Sequence, residues 1–285
     1  MAVTGTPSAA VIEADVARAL AEDLGSGDVT ASLLPDEAGE AYVIARETAV
    51  IAGRPWFDAC FRALDPAVRI DWHINEGDCV PADALLCTLA GRSRALVSAE
   101  RCALNFLQSL SGTATRTAEY VAALAGTGTR VLDTRKTIPG LRAAQKYAVR
   151  VGGGGNHRKG LYDAVMLKEN HIHAAGSIAT AAALARSRFP DLPLIIEVES
   201  LDELDQALAT NCDRILVDDF TLADLREAVR RAEGKVPLEV SGGVELARLR
   251  EIADTGVDFV SVGALTKHVR AVDLSLRLGR PPTSS

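Results

Sequence analysis

The first chemical signal is a concentration of cations. Between Arg130 and Asn170 stand nine Lys or Arg residues, Arg135, Lys136, Arg158 and Lys168 among them, against three acids, Asp133, Asp163 and Glu169. The chain as a whole is acidic, with 31 basic and 38 acidic residues and a formal charge of −7. A strongly cationic stretch inside an acidic protein fits a pocket for a small polyanion; the alternative is a solvated basic face. Lys136 and Lys168 each lie at the end of an apolar segment, where a lysine is costly to bury unless it meets an anion. Further along, Glu197, Glu199, Asp218 and Asp219 end similar segments, and their carboxylates suit Mg²⁺ or a sugar diol. Ser241-Gly242-Gly243 and Gly263-Ala264 end two more, where backbone N–H groups can approach a phosphate closely. Capping of the following helices is the competing explanation for the acids, and a plain turn for the glycines.

The hydrophobic pattern indicates what brings these residues together. Apolar segments at 131–132, 164–167, 194–196, 215–217, 238–240 and 259–262 alternate with helical ones such as 201–208, 222–232 and 245–253. Strands alternating with helices specify a parallel sheet. The later units start near 194, 214, 237 and 259, and so short a repeat favours a closed βα barrel over an open sheet. In such a barrel the site lies at the C-terminal ends of the strands, and Arg135, Lys136, Lys168, the four acids and the two glycine turns occupy those ends, while His157 and Arg158 follow the glycine run at 152–155. No GxGxxG follows a strand and no GxxxxGK[ST] is present, which argues against dinucleotide and P-loop sites. Upstream, residues 8–24 read as an amphipathic helix capped by Ser8, and short strands follow between Tyr42 and Ala90. Ser98 then reads as the cap of a long helix, with Glu100 and Arg101 in its first turn.

With 285 residues, 48% hydrophobic and 24% charged, the chain has globular proportions and is long enough for one large domain or a large and a small one. Its five cysteines are odd in number and form no CxxC pair, which points to a reducing, cytoplasmic setting without a structural zinc site. Glu13, Asp15 and Arg18 interrupt the first apolar stretch, so no signal peptide is expected. No run of apolar residues is long enough for a membrane helix. The net negative charge argues against nucleic acid.

The stretch Asp133-Thr134-Arg135-Lys136-Thr137, then Pro139-Gly140-Leu141-Arg142, Lys146-Tyr147-Ala148-Val149, the glycines at 152–155, Asn156-His157-Arg158 and Lys168-Glu169-Asn170-His171 closely resembles the quinolinate phosphoribosyltransferases, the carboxylating nicotinate-nucleotide pyrophosphorylases. Upstream the resemblance continues through Gly27-Asp28, Glu100-Arg101, Ala103-Leu104-Asn105 and Leu110-Ser111-Gly112, so it covers nearly the whole chain. Ile138 stands where many relatives carry Thr.

The resemblance implies an α/β fold: an N-terminal α/β sandwich over residues 1–110, joined by the tail 268–285, and an incomplete, seven-stranded βα barrel over 111–267. It also implies transfer of a phosphoribosyl group from phosphoribosyl pyrophosphate to quinolinate in NAD biosynthesis, with Mg²⁺ as cofactor, pyrophosphate and CO₂ released and nicotinate mononucleotide formed. On the matching positions, Arg101, Arg135, His157 and Arg158, with Thr134 nearby, would hold the quinolinate carboxylates. Lys136 and Lys168 would sit near the pyrophosphate and the ring. Glu197 and Asp218 would hold ribose and Mg²⁺, and Ser241, Gly242, Gly243, Gly263 and Ala264 the 5′-phosphate. The family's subunits pair into homodimers, which implies that Arg101 serves the partner's site. Three rivals remain: a homologue acting on another substrate, a Schiff-base aldolase using Lys136 or Lys168, and a phosphosugar-binding protein without activity.

Overall fold

The computed structural model describes residues 5–282; residues 1–4 and 283–285 of the two expected terminal segments lie outside it. In chain order the elements are α1 (Ala9–Leu24), β1 (Ala38–Ala45), β2 (Ala49–Val50), α2 (Arg54–Leu64), β3 (Arg69–Trp72), β4 (Cys79–Val80), β5 (Leu85–Arg92) and α3 (Ser93–Ala123). Next come β6 (Arg130–Leu132), α4 (Arg142–Val151), β7 (Val165–Leu167), α5 (Glu169–Ala175), α6 (Ile178–Arg188), β8 (Leu194–Val198), α7 (Leu201–Leu208), β9 (Arg214–Asp218) and α8 (Leu222–Ala232). The chain ends with β10 (Leu238–Ser241), α9 (Leu249–Ala253), β11 (Phe259–Ser261), α10 (Ala264–Lys267) and β12 (Leu274–Leu278). These elements form two compact units. The first holds the chain up to Ala118, Thr137–Gly153 and the chain from Leu265 on; the second holds Glu119–Lys136 and Gly154–Ala264.

The first unit is built on a four-stranded antiparallel sheet in the order β12-β1-β5-β3. Its core includes Trp56, Phe57 and Phe61 of α2, Leu86 and Leu89 of β5, and Leu104 and Leu107 of α3, all buried. The four-residue spacing of Ile12, Val16 and Leu20 does bury one face of α1, as an amphipathic helix requires. Asp15 is buried with that face because it accepts a hydrogen bond from Trp56 Nε1 at 3.0 Å. Two expected caps are corrected. Ser8 occupies the N-cap of α1, but its side chain makes no capping bond. Ser98 caps nothing, because β5 runs directly into α3 at Ser93, and Ser98 Oγ bonds Asp28 Oδ2 at 2.8 Å. Glu100 and Arg101 therefore lie in the body of α3, away from the strong field of a helix end.

The second unit is a six-stranded, all-parallel sheet in the order β6-β11-β10-β9-β8-β7. A parallel bridge between Leu132 and Gly155 adds the beginning of a seventh strand outside β6. Gly155 permits this approach: a Cβ there would stand 2.7 Å from Leu132 Cδ2. Helices α6, α7 and α8 are capped by Ser177, Ser200 and Thr221, whose hydroxyls accept from the amides of Thr180, Glu203 and Asp224. The expected helix over 245–253 divides into a 3₁₀ turn at Leu246–Arg248 and α9. No helix among the described residues is long and apolar enough to cross a membrane.

Gly112, on α3, marks a close approach within the first unit. A Cβ there would lie 2.1 Å from the carbonyl oxygen of Arg270, in the segment that α3 also holds by a hydrogen bond from Gln108 Nε2 to the Val272 carbonyl at 2.9 Å. Gly112→Ala is expected to cost at least about 1–3 kcal/mol and to lower the thermal midpoint by several degrees. Gly128→Ala, where a Cβ meets nothing within 4 Å, should change the midpoint little in the same circular-dichroism melt.

Candidate active site

Side chains two residues apart on a strand share a face. Ala164, Met166, Ile195 and Leu216 form an apolar cluster on one face of the parallel sheet. Two residues beyond Met166, Ile195 and Leu216 stand Lys168, Glu197 and Asp218, and Asp218 pairs in register with Ser241 of β10. The sheet thus carries these four residues to the same ends of adjacent strands. Lys168 Nζ makes an ion pair and hydrogen bond with Glu197 Oε2. The Lys168 backbone is fixed in turn, its N–H donating to His171 Nδ1 at 3.1 Å.

The helix caps decide what the acids are doing. Thr221 caps α8 and Ser200 caps α7, so Glu197, Asp218 and Asp219 are not needed for capping. The Glu199 amide is held by Glu203 Oε2 at 2.8 Å, which assigns Glu203 to the start of α7. Asp219 takes a positive φ of 55°, a conformation non-glycine residues seldom adopt. It packs against Gly242: a Cβ on that glycine would lie 2.3 Å from Asp219 Oδ1 and 3.3 Å from Asp218 Oδ1. The glycine turn after β10 therefore lies directly beside the carboxylates after β9. Partial desolvation, with Glu169, Glu203, Asp218 and Glu197 nearby, pushes the Glu199 carboxyl above the usual carboxylate range. A cavity of about 210 Å³ lies among Glu169, Ile172, His173, Glu197, Glu199 and Glu203.

The cations lie across the same rim. Thr134 Oγ1 accepts from the Lys136 amide at 3.0 Å. The Lys136 stem runs over Gly263, where a Cβ would come within 2.9 Å of Lys136 Cδ and 3.5 Å of Thr134 Oγ1. Gly263 and Ala264, beyond β11, thus adjoin the Thr134–Lys136 turn beyond β6. Burial, followed by the neighbouring Arg135 guanidinium, holds Arg158 below the ordinary arginine value, against the pull of Asp163 and Glu197. Two guanidiniums close enough to repel one another form a place where an anion is favoured.

One buried and one half-buried carboxylate shape the loop that carries Arg158. Asp133, fully buried at the end of β6, accepts from Asn156 Nδ2 at 2.6 Å and from the His157 amide at 2.9 Å. Asp163 accepts from the amides of Lys159 at 2.7 Å and Gly160 at 2.9 Å. His157 departs from the expectation that it faces a carboxylate ligand. It is 9% exposed, its Nδ1 accepts from the Arg158 amide at 2.6 Å, and its Nε2 lies 3.3 Å from Glu239 Oε1. Glu239, in the middle of β10, is fully buried, and its other oxygen accepts from Arg214 at 2.8 Å. Sequence reasoning missed both Glu239 and Arg214. A glutamate between Leu238 and Val240 was the available signal, since an acidic side chain in an apolar strand implies a buried partner.

Thirteen of the fourteen expected site residues therefore belong to the second unit and lie at or beside the strand ends. Arg101 belongs to the first unit, on the exposed side of α3, with Glu100 Oε1 at 3.9 Å from its guanidinium. No group of three or more His, Cys, Asp or Glu residues among the described residues makes a ready metal cage.

Comparison with known proteins gives matches at both the sequence and the fold level. Residues 28–111 match the family model described as quinolinate phosphoribosyl transferase, N-terminal domain, and residues 113–277 the corresponding C-terminal domain. The chain is 43% identical over 284 residues to a probable nicotinate-nucleotide pyrophosphorylase [carboxylating] of Synechocystis, covering 98% of this chain and 96% of that one. It is 41% identical to the nicotinate-nucleotide pyrophosphorylase [carboxylating] of Mycobacterium leprae, over 92% and 95% of the two chains. A solved nicotinate-nucleotide pyrophosphorylase from Francisella tularensis superimposes with a TM-score of 0.95 at 44% identity, covering 98% of this chain and all of the other. The barrel rim, the N-terminal sheet unit and these matches together place the chain in the quinolinate phosphoribosyltransferase family.

Proposed function

We propose that this chain transfers the phosphoribosyl group of phosphoribosyl pyrophosphate to quinolinate, releasing pyrophosphate and CO₂ and forming nicotinate mononucleotide in NAD biosynthesis. The observation that carries the reading is the gathering of Lys168, Glu197 and Asp218 at the same ends of adjacent strands, with the partly buried Arg158 and its neighbour Arg135 on the same rim. Paired guanidiniums suit the two adjacent carboxylates of quinolinate, each arginine offering planar, bidentate donors. The family membership and the printed names of the relatives point to the same reaction.

In this reading the quinolinate carboxylates lie on Arg135 and Arg158, with Lys136 and Lys168 toward the ring and the departing pyrophosphate. The turn at Ser241, Gly242 and Gly243, with Gly263 and Ala264, takes the 5′-phosphate through backbone N–H groups. The ring nitrogen attacks the anomeric carbon as the bond to pyrophosphate breaks, through a state with positive charge on the sugar. Glu197 and Asp218 lie where such charge would be stabilised. Loss of the carboxylate beside the ring nitrogen then leaves its electron pair on carbon, next to the positively charged nitrogen, and that carbon takes up a proton.

Glu197 and Asp218 also fit Mg²⁺, which is commonly held by one or two carboxylates plus substrate phosphates rather than by an all-protein cage. Desolvation first, and then the neighbouring carboxylates, raises the Glu199 carboxyl beside them. Bound there, Mg²⁺ would neutralise charge on the departing pyrophosphate. Arg101 belongs to this proposal as a residue supplied from the N-terminal unit of a partner subunit, making the homodimer the smallest active assembly. The proposal includes a cytoplasmic setting, supported by five cysteines that are odd in number and form no CxxC pair.

Three experiments test the proposal. Nicotinate, lacking the second carboxylate, leaves a desolvated arginine unpaired, a loss of about 3–5 kcal/mol. Its kcat/KM in a coupled pyrophosphate-release assay should be at least about a hundredfold below that of quinolinate, and comparable values would refute the assignment. Glu197→Gln and Asp218→Asn should each nearly abolish turnover while leaving the melting temperature almost unchanged. A large melting shift with activity retained would assign both carboxylates to structure. Finally, Arg101→Ala and Lys168→Ala are each expected to be inactive. Mixed under subunit exchange, they should regain up to about half the activity of a native dimer per mixed dimer, because one site then carries both defects and the other neither. Exchange confirmed by mass without regained activity would contradict a shared site.

A further inference from the structure

Glu239 has no part in the reaction as described, yet it is an acid sealed inside the parallel sheet unit. It pairs in register with Leu216 on one side and Phe259 on the other, and Leu216 belongs to the apolar cluster with Ala164, Met166 and Ile195. An aliphatic side chain would suit that layer, and burying a carboxylate there is unfavourable unless it is paired. One oxygen meets Arg214 at 2.8 Å, whose guanidinium in turn lies 4.3 Å from the centre of the Phe259 ring. The other oxygen, buried, faces His157 Nε2 at 3.3 Å, within ion-pair distance though not aligned for a hydrogen bond.

We propose that Glu239 is a positioning residue for the quinolinate site, acting through His157 on Arg158. The inference rests on the function proposed above. A carboxylate facing Nε2 favours the imidazole tautomer with its proton on that nitrogen. Nδ1 is then left with a lone pair, which is what the Arg158 amide requires at 2.6 Å. The ring is thus a neutral strut: Glu239 sets its proton, the ring holds the Arg158 backbone, and the Arg158 guanidinium is aimed at the rim beside Arg135. Asp133 grips the His157 amide at 2.9 Å and completes the support from the other side. His157 serves substrate binding through its neighbour rather than as a cation of its own. Arg214 holds the other carboxylate oxygen of Glu239 at 2.8 Å and so fixes the carboxylate that faces the ring.

Two measurements decide the matter. In the native chain at pH 7, long-range ¹H–¹⁵N correlation of the histidine rings, assigned through ring-to-backbone correlations, should show His157 neutral with its proton on Nε2. A proton on Nδ1, or a doubly protonated ring, overturns the proposal. This reading is independent of catalysis: if the chain consumes no quinolinate, the functional proposal fails while the ring proton still decides this one. In kinetics, Glu239→Gln and His157→Phe should each raise the KM for quinolinate at least about tenfold while the KM for phosphoribosyl pyrophosphate stays within about twofold. The double variant should be no worse than the more impaired single variant, because both remove the same support. Effects that multiply in the double variant, or that fall equally on both substrates, overturn it. If either substitution prevents folding, as a melt would show, the ring proton of the native chain gives the answer.

Discussion

Like charges must be held together against their repulsion, and the rim of the parallel sheet unit is organised around that constraint. Burial, and after it the nearby Arg135 guanidinium, holds Arg158 below the ordinary arginine value. The loop bearing Arg158 is gripped by its backbone: Asp133 holds the His157 amide, the His157 ring holds the Arg158 amide, and Asp163 holds the amides of Lys159 and Gly160. Acceptors that act on amides fix the position of a cation while the pull of Asp163 on its head group is outweighed by burial and Arg135. The repulsion that remains favours whatever anion arrives, which is how a preorganised site differs from one assembled by its ligand.

The carboxylate side follows a complementary logic. Serine and threonine hydroxyls satisfy the first turns of α7 and α8, so the acids immediately upstream are available for other work. Glu197 is balanced by Lys168, and Asp219 bends into a left-handed conformation beside the glycine turn. Anion and cation subsites therefore meet at the Lys168–Glu197 pair, a natural place for a reaction that separates a cationic sugar from an anionic leaving group.

Much of this was legible in the sequence, because a parallel sheet converts sequence order into spatial order. Apolar segments marked the strands, and the polar residue after each marked the rim, so Lys168, Glu197, Asp218 and Ser241 could be gathered before any coordinates. Features set by distant partners were not legible. Ser98 looks like a helix cap, and only the direct run of β5 into α3 shows that the helix is already under way. His157 follows a run of glycines beside an arginine and so resembles a ligand, until a carboxylate from β10, 82 residues further on, claims its ring. Glu239 itself reads as an irregularity in a short strand. Arg101 shares a helix with the core residues Leu104 and Leu107 and is distinguished by the family motif rather than by its pattern.

The route of the chain has one further consequence. Between β6 and Gly155 the polypeptide leaves the parallel sheet unit for Thr137–Gly153, whose helix α4 groups with the antiparallel unit, and the last strand, β12, groups there as well. Neither unit is a single uninterrupted stretch. During synthesis the antiparallel sheet cannot be completed until β12 leaves the ribosome, after every barrel strand has emerged. Recombination at one crossover can therefore not exchange either unit intact, and the two halves of this enzyme are bound to evolve as one inheritance.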